Sequence, residues 1–180
     1  MDLADAGVQR QLVASVARAL GGLDILVNNA GAAMSRPITE TTAEDWDYLM
    51  AVNARAPFLL CREALPHLRK SGRGRIVNIS SVVGYKGYVN HGAYAASKHA
   101  LAGFTKVLAQ EVMKDGIRVH LVSPGGVDTD LAASMRPDLD RAGLTTPEEI
   151  AEIVVFLLRQ EGNAAIDEVN VRRPGKNPWI

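Results

Sequence analysis

The chain reads as an α/β protein built on a parallel sheet, and three observations lead there. Short apolar stretches alternate with stretches of helix length from one end to the other. At least one of the short stretches is wholly apolar, as in strands covered on both faces. Several of them end in small or glycine-containing segments, "NNAG", "NISS" and "SPGG". The 180 residues suit one domain with a sizeable core, and neither an internal repeat nor a linker divides them.

Taken in order, residues 8–20 place Val8, Leu12, Val16 and Leu20 on one helical stripe that Gly21 and Gly22 end. Ile25 to Val27 form the first strand. Thr42 is suited to cap a long helical region over 43–70, within which Pro57 should cause a bend. Residues 74–81, "GRIVNISS", read as the second strand. A helix over 93–114 stops at Gly116, and 117–126, "IRVHLVSPGG", is the third strand. Thr146 and Pro147 open a helix to about residue 159, a short strand covers 166–172, and the tail "RPGKNPWI" is irregular.

Composition narrows the function classes. Lys+Arg and Asp+Glu are both 20, so no net charge favours nucleic acid. The single cysteine, Cys61, excludes an internal disulfide and reads as a small apolar group on a helix. No metal is expected. No apolar run reaches the roughly 18 residues of a membrane span. The opening "MDLADAGVQR" is unlike a signal peptide, so a cytoplasmic location without a membrane partner is expected.

The residues that carry chemistry lie at the strand ends. In open α/β sheets, ligands bind beyond the carboxyl ends of the strands. Ser81 stands at one such end. Tyr94 and Lys98 follow it, four positions apart on one helical face. An ammonium near a phenol should lower the phenol's pKa and let it exchange a proton with an alcohol or carbonyl oxygen. His91 is a candidate for touching a ligand, whereas His99, Lys106 and Lys114 read as surface residues and Asn28 as structural.

Five segments, "NNAG" (28–31), Asn53 within "MAVNARAPF", "NISS" (78–81), "YAASK" (94–98) and "SPGGVDT" (123–129), stand in an order and spacing that resemble the short-chain dehydrogenases/reductases. The resemblance spans nearly the whole chain. It implies a Rossmann-like, doubly wound parallel sheet and an oxidoreductase that interconverts a carbonyl and an alcohol by hydride transfer with NADP or NAD. Tyr94 would be the general acid/base, Lys98 would tune it and bind the nicotinamide ribose, Ser81 would hold the substrate oxygen, and Asn53 would hold a relay water. Asn29, Ala30 and Gly31 would line the adenosine side of the cofactor groove, with Asp2 and Leu3 near the adenine. Pro124, Gly125, Val127 and Thr129 would surround the nicotinamide.

The resemblance further implies a small-molecule carbonyl or alcohol substrate, a lid within 129–146, and a homo-oligomer, dimer or tetramer. The expected subunit interface uses the helices at 43–70 and 93–114, with Phe58, Leu59, Phe104 and Leu108 as candidates. The family opens with a strand, a glycine-rich turn and a helix that binds the pyrophosphate, a pattern this sequence does not contain. The expectation is therefore a partial domain over 1–180, a fragment or mis-started form of a complete reductase, that binds dinucleotide weakly and leaves "DILVN" as a sheet edge. The alternatives are a catalytically inactive interaction protein and a site completed by another chain.

Overall fold

The computed structural model describes residues 2–5, 7–136 and 140–177. Four parallel strands, β1 (Ile25–Asn28), β2 (Arg75–Ile79), β3 (Arg118–Pro124) and β4 (Glu168–Val171), form one sheet in the order β1-β2-β3-β4. In register, Leu26 pairs with Ile76, Ile76 with Val119, and Val122 with Val169. The helices α1 (Val8–Leu20), α3 (Ala56–Ser71) and α4 (Gly92–Val112) enclose one core with Ile76 and Val119 of the sheet. The helix α6 (Pro147–Leu158) covers the opposite face over Val77 and Val122. The sheet is thus wound on both faces, as expected.

Local signals act as the sequence predicts at most boundaries. Gly21, with φ of 75°, ends α1 in the left-handed conformation that glycine adopts without penalty. Thr42 begins α2 (Ala43–Met50) with a reciprocal capping box, its hydroxyl accepting from the Asp45 N–H and the Asp45 carboxylate accepting from the Thr42 N–H. Thr146 and Glu149 repeat that arrangement at α6.

The long helical region breaks in a specific way. Between α2 and α3, residues Ala51–Arg55 form a π-turn, with the Ala56 N–H reaching back to the Ala51 carbonyl. Pro57 sits in the first turn of α3 and has no N–H to return to the Asn53 carbonyl, so the α-helical ladder cannot run through.

Three expectations need correction. The buried line of α1 is Gln9, Val13 and Ala17, flanked by Leu12 and Val16, while Leu20 is 72% exposed. The helix packs against α3, and its small Ala17 turns inward there. The first strand is the sheet edge expected of "DILVN", and the cover on both faces that its apolar run suggests is missing. Leu26 enters the core under α1 and α3, but Ile25 and Val27 are 43% and 40% exposed, because β1 is an edge strand and α6 lies farther across the sheet. Of the interface candidates, Leu108 is buried in the core, whereas Phe58 is exposed and meets Phe104 edge to face at 5.5 Å.

The segment after β3 holds a short helix, α5 (Asp130–Met135), that the sequence reading did not anticipate. Residues 137–139 of the expected lid and 178–180 of the tail lie outside the described residues. Among the described residues, no helix is long and apolar enough to cross a membrane.

Candidate active site at the strand ends

The carboxyl ends of β1, β2 and β3 open into a cleft of about 1430 Å³. Asn29, Ala30, Gly31, Ser81, Tyr94, Lys98, Pro124, Gly125, Val127 and Thr129 all line it, so the sheet gathers residues a hundred positions apart. Asn53 does not line it, and neither do Asp2, which is exposed, and Leu3, which packs against the core beside α1. Asn53 is 1% exposed and lies behind Gly31 and Ala32.

Asn53 supports the site from below. Its Oδ1 accepts from the Ala32 N–H at 2.9 Å, and its Nδ2 donates to the Ala32 carbonyl at 2.8 Å and the Ser97 hydroxyl at 2.9 Å. The Ser97 hydroxyl in turn donates to the Tyr94 carbonyl at 2.8 Å. One amide thus ties the segment after β1 to the first turns of α4, and the π-turn aims it there.

Tyr94 is 6% exposed and packs among Leu49, Val83 and Ala93, with the His91 ring 6.3 Å away. Burial raises its phenol pKa above the ordinary value, and the Ser81 side chain, close enough to hydrogen-bond it, pulls the other way. Lys98 is 5% exposed, and its Nζ donates to the Ile79 carbonyl at 3.0 Å. Burial brings its pKa down to about 8. The expected depression of the phenol by the ammonium is therefore overturned in this state. Desolvation governs both groups, and the phenol stays protonated at neutral pH.

Glycines allow this close packing. A Cβ on Gly31 would stand 3.2 Å from Asn53 Oδ1 and 3.4 Å from Lys98 Nζ. A Cβ on Gly84 would lie 2.7 Å from Ser80 Oγ and 3.2 Å from the Lys98 carbonyl oxygen. The Gly125 N–H donates to the Val171 carbonyl at 2.7 Å, pinning the β3 exit to β4. Thr129 has a second use, since its hydroxyl accepts from the Ala132 N–H and caps α5.

A line of buried polar groups that the sequence reading missed runs beneath the cleft. Asn28 donates to Asn78 at 2.8 Å and to the Cys61 sulfur at 3.3 Å, and Asn78 donates to Thr105 at 2.8 Å. This bears out a structural Asn28. Asn78 and Thr105 carried no signal beyond polar residues in otherwise apolar elements. His91 lines the cleft, while His99 is exposed on α4.

Comparison with known proteins shows the family and the fold. Residues 1–140 match the family profile described as short chain dehydrogenase. An uncharacterized oxidoreductase of Staphylococcus aureus (strain MRSA252) is 34% identical over 162 residues, which are 90% of this chain and 69% of that protein. Carbonyl reductase family member 4 of Xenopus laevis is 40% identical over 146 residues, 77% of this chain and 61% of its own length. The crystal structure of a metagenomic short-chain oxidoreductase in complex with NADP superposes with a TM-score of 0.81 at 34% identity, covering 97% of this chain and 72% of that one.

Proposed function

We propose a reaction for this chain on the premise that it belongs to the short-chain dehydrogenase family: the NAD(P)-dependent interconversion of a small carbonyl compound and its alcohol. The observation that carries this reading is the convergence of Ser81, Tyr94 and Lys98 on one cleft, the last two one helical turn apart.

The residues present fit the nicotinamide end of a dinucleotide. The bare backbone at Gly31 leaves Lys98 Nζ uncovered on that side, and Pro124 and Gly125 border the same cleft. When bound, a reduced nicotinamide dinucleotide supplies the hydride. Ser81 orients the substrate oxygen, and Tyr94 delivers its proton there as the carbonyl becomes an alcohol. A phenol kept protonated by burial suits the acid in this direction, and its anion takes the proton back in the reverse direction. Lys98 would hold the ribose and restore the proton, with Asn53 keeping Ala32 and α4 in place.

The direct test is Tyr94→Phe in the protein expressed with its adjoining coding sequence. The ring and its packing survive while the proton donor goes. Turnover should fall about 100- to 10,000-fold, the usual worth of a positioned acid, with dinucleotide affinity retained. Near-normal turnover would remove Tyr94 from the reaction.

A further inference from the structure

The cleft has a charge that the chain as a whole lacks. Acidic and basic residues balance at 20 each. Yet among the described residues the cleft is lined by Lys86, Lys98, Arg136, Arg172, Arg173 and Lys176 and by no aspartate or glutamate. Asp128, at the β3 exit, is engaged by Arg141 in an ion pair.

Geometry separates these cations. Lys98 is bound to the Ile79 carbonyl. Arg172 turns one nitrogen to its own backbone, its Nη1 lying 3.2, 3.3 and 2.9 Å from the carbonyls of Arg173, Pro174 and Lys176. The Lys176 N–H closes the same turn on the Arg173 carbonyl at 3.0 Å. Arg172 is thus a positioning residue that presents Arg173 and Lys176 to the cleft. Arg173 is half-buried, with its guanidinium against Gly126, where a Cβ would stand 3.4 Å from its Nε and 3.5 Å from its Cζ. Among the described residues its side chain makes no hydrogen bond or ion pair. A guanidinium with its fork unused is suited to a planar or tetrahedral oxyanion.

We propose that Arg173, seconded by Lys176, holds an anionic group on the substrate, so that the cleft selects carbonyl compounds carrying a carboxylate or phosphate. This rests on the carbonyl-reductase reading of the same cleft. The dinucleotide's own phosphates have the same chemistry. Position favours the substrate, because the Gly126 against which Arg173 lies also abuts Leu144, 3.1 Å from the place of its Cβ, and bonds Thr145. These residues belong to the segment between β3 and α6, where the lid is expected.

The test uses residues 1–180 and two probes of one size class, 4-formylbenzoate and benzaldehyde, titrated by NMR. The anion should bind about tenfold tighter or better, as charge-assisted bonding allows, with shifts at the Gly126 and Arg173 amides. Arg173→Gln should bring the ratio of affinities to about one, and Arg173→Lys should restore most of it. Equal affinities in the unmodified chain, or a ratio that survives Arg173→Gln with circular dichroism unchanged, would overturn the proposal. So would Arg173→Gln weakening NADPH while leaving the ratio alone, since the charge would then serve the dinucleotide. If Arg173→Gln does not fold, the unmodified ratio is followed with salt. It should shrink as ionic strength rises, and a constant ratio overturns the proposal. If the anion binds with this preference but the protein with its adjoining coding sequence never reduces it, the reductase reading fails and the anion site stands.

Discussion

Asn53 Nδ2 and the Ser97 hydroxyl stand 2.9 Å apart, and through this contact a π-turn between two helices sets the first turns of another. Ser97 lies between Tyr94 and Lys98 in sequence and passes the bond on to the Tyr94 carbonyl. Tyr94 and Lys98 are held from behind by a residue that does not line the cleft.

Asn53→Ala should therefore cost stability as well as geometry. The Ala32 N–H and carbonyl would both lose their partner in a half-buried place. A loss of about 1–3 kcal/mol is expected for such unsatisfied groups, read as a lowered midpoint in urea. A midpoint within error of the parent would mean that water replaces the amide without cost.

Lys98 predicts a pH dependence of defined sign. Its folded pKa is about 8, against an ordinary 10.5. Between those values the unfolded chain holds a proton that the folded chain has released, so the Lys98 contribution to stability rises with pH across that window. Below pH 8 the buried ammonium is charged and its cost is felt in full. Lys98→Met should remove that part of the pH slope. In ¹⁵N-lysine NMR, one side-chain amine should titrate near 8 and vanish in the variant. If every lysine titrated near its ordinary value, the assignment of a desolvated amine would be wrong.

Gly84→Ala should be poorly tolerated although Gly84 needs no positive φ. The new methyl would sit 2.7 Å from Ser80 Oγ, which can turn aside only by leaving the Lys98 carbonyl it bonds, and 3.2 Å from that carbonyl oxygen, which as backbone cannot move without shifting α4. Overpacking of this kind costs about 1–3 kcal/mol. Gly87→Ala, where the space is open, is the control. Equal thermal midpoints for the two variants would show that the loop yields freely.

A homo-oligomer remains the proposal for assembly, and Phe58 is its test. The ring is 44% exposed on α3 beside Phe104, and Val107 on α4 is 55% exposed. Light scattering should find a dimer or tetramer that Phe58→Glu shifts toward monomer with circular dichroism intact. A strict monomer over a wide concentration range would refute it.

Much of the fold was legible because its signals are local. Capping boxes at Thr42 and Thr146, the stop at Gly21 and the strand runs each depend on a few neighbouring residues. Leu20 was misassigned, and Leu108 was left between the interface and the sheet, because helical periodicity marks an apolar stripe without saying which neighbour will cover it. Asn78 and Thr105 were missed because a single buried hydrogen bond across elements leaves no pattern along the chain.

The sequence by itself determined the alternation of strands and helices, the family, and the residues that bring a phenol, an amine and a hydroxyl to the strand ends. Those depend on residue type and spacing. Only the tertiary structure decided the electrostatic state of that pair and the sign of the cleft. A pKa follows from the water removed around a group, and burial here raises Tyr94 and lowers Lys98 against the expectation from charge alone. A neutral chain can likewise enclose a basic cleft, because composition counts charges while folding chooses which of them face one another.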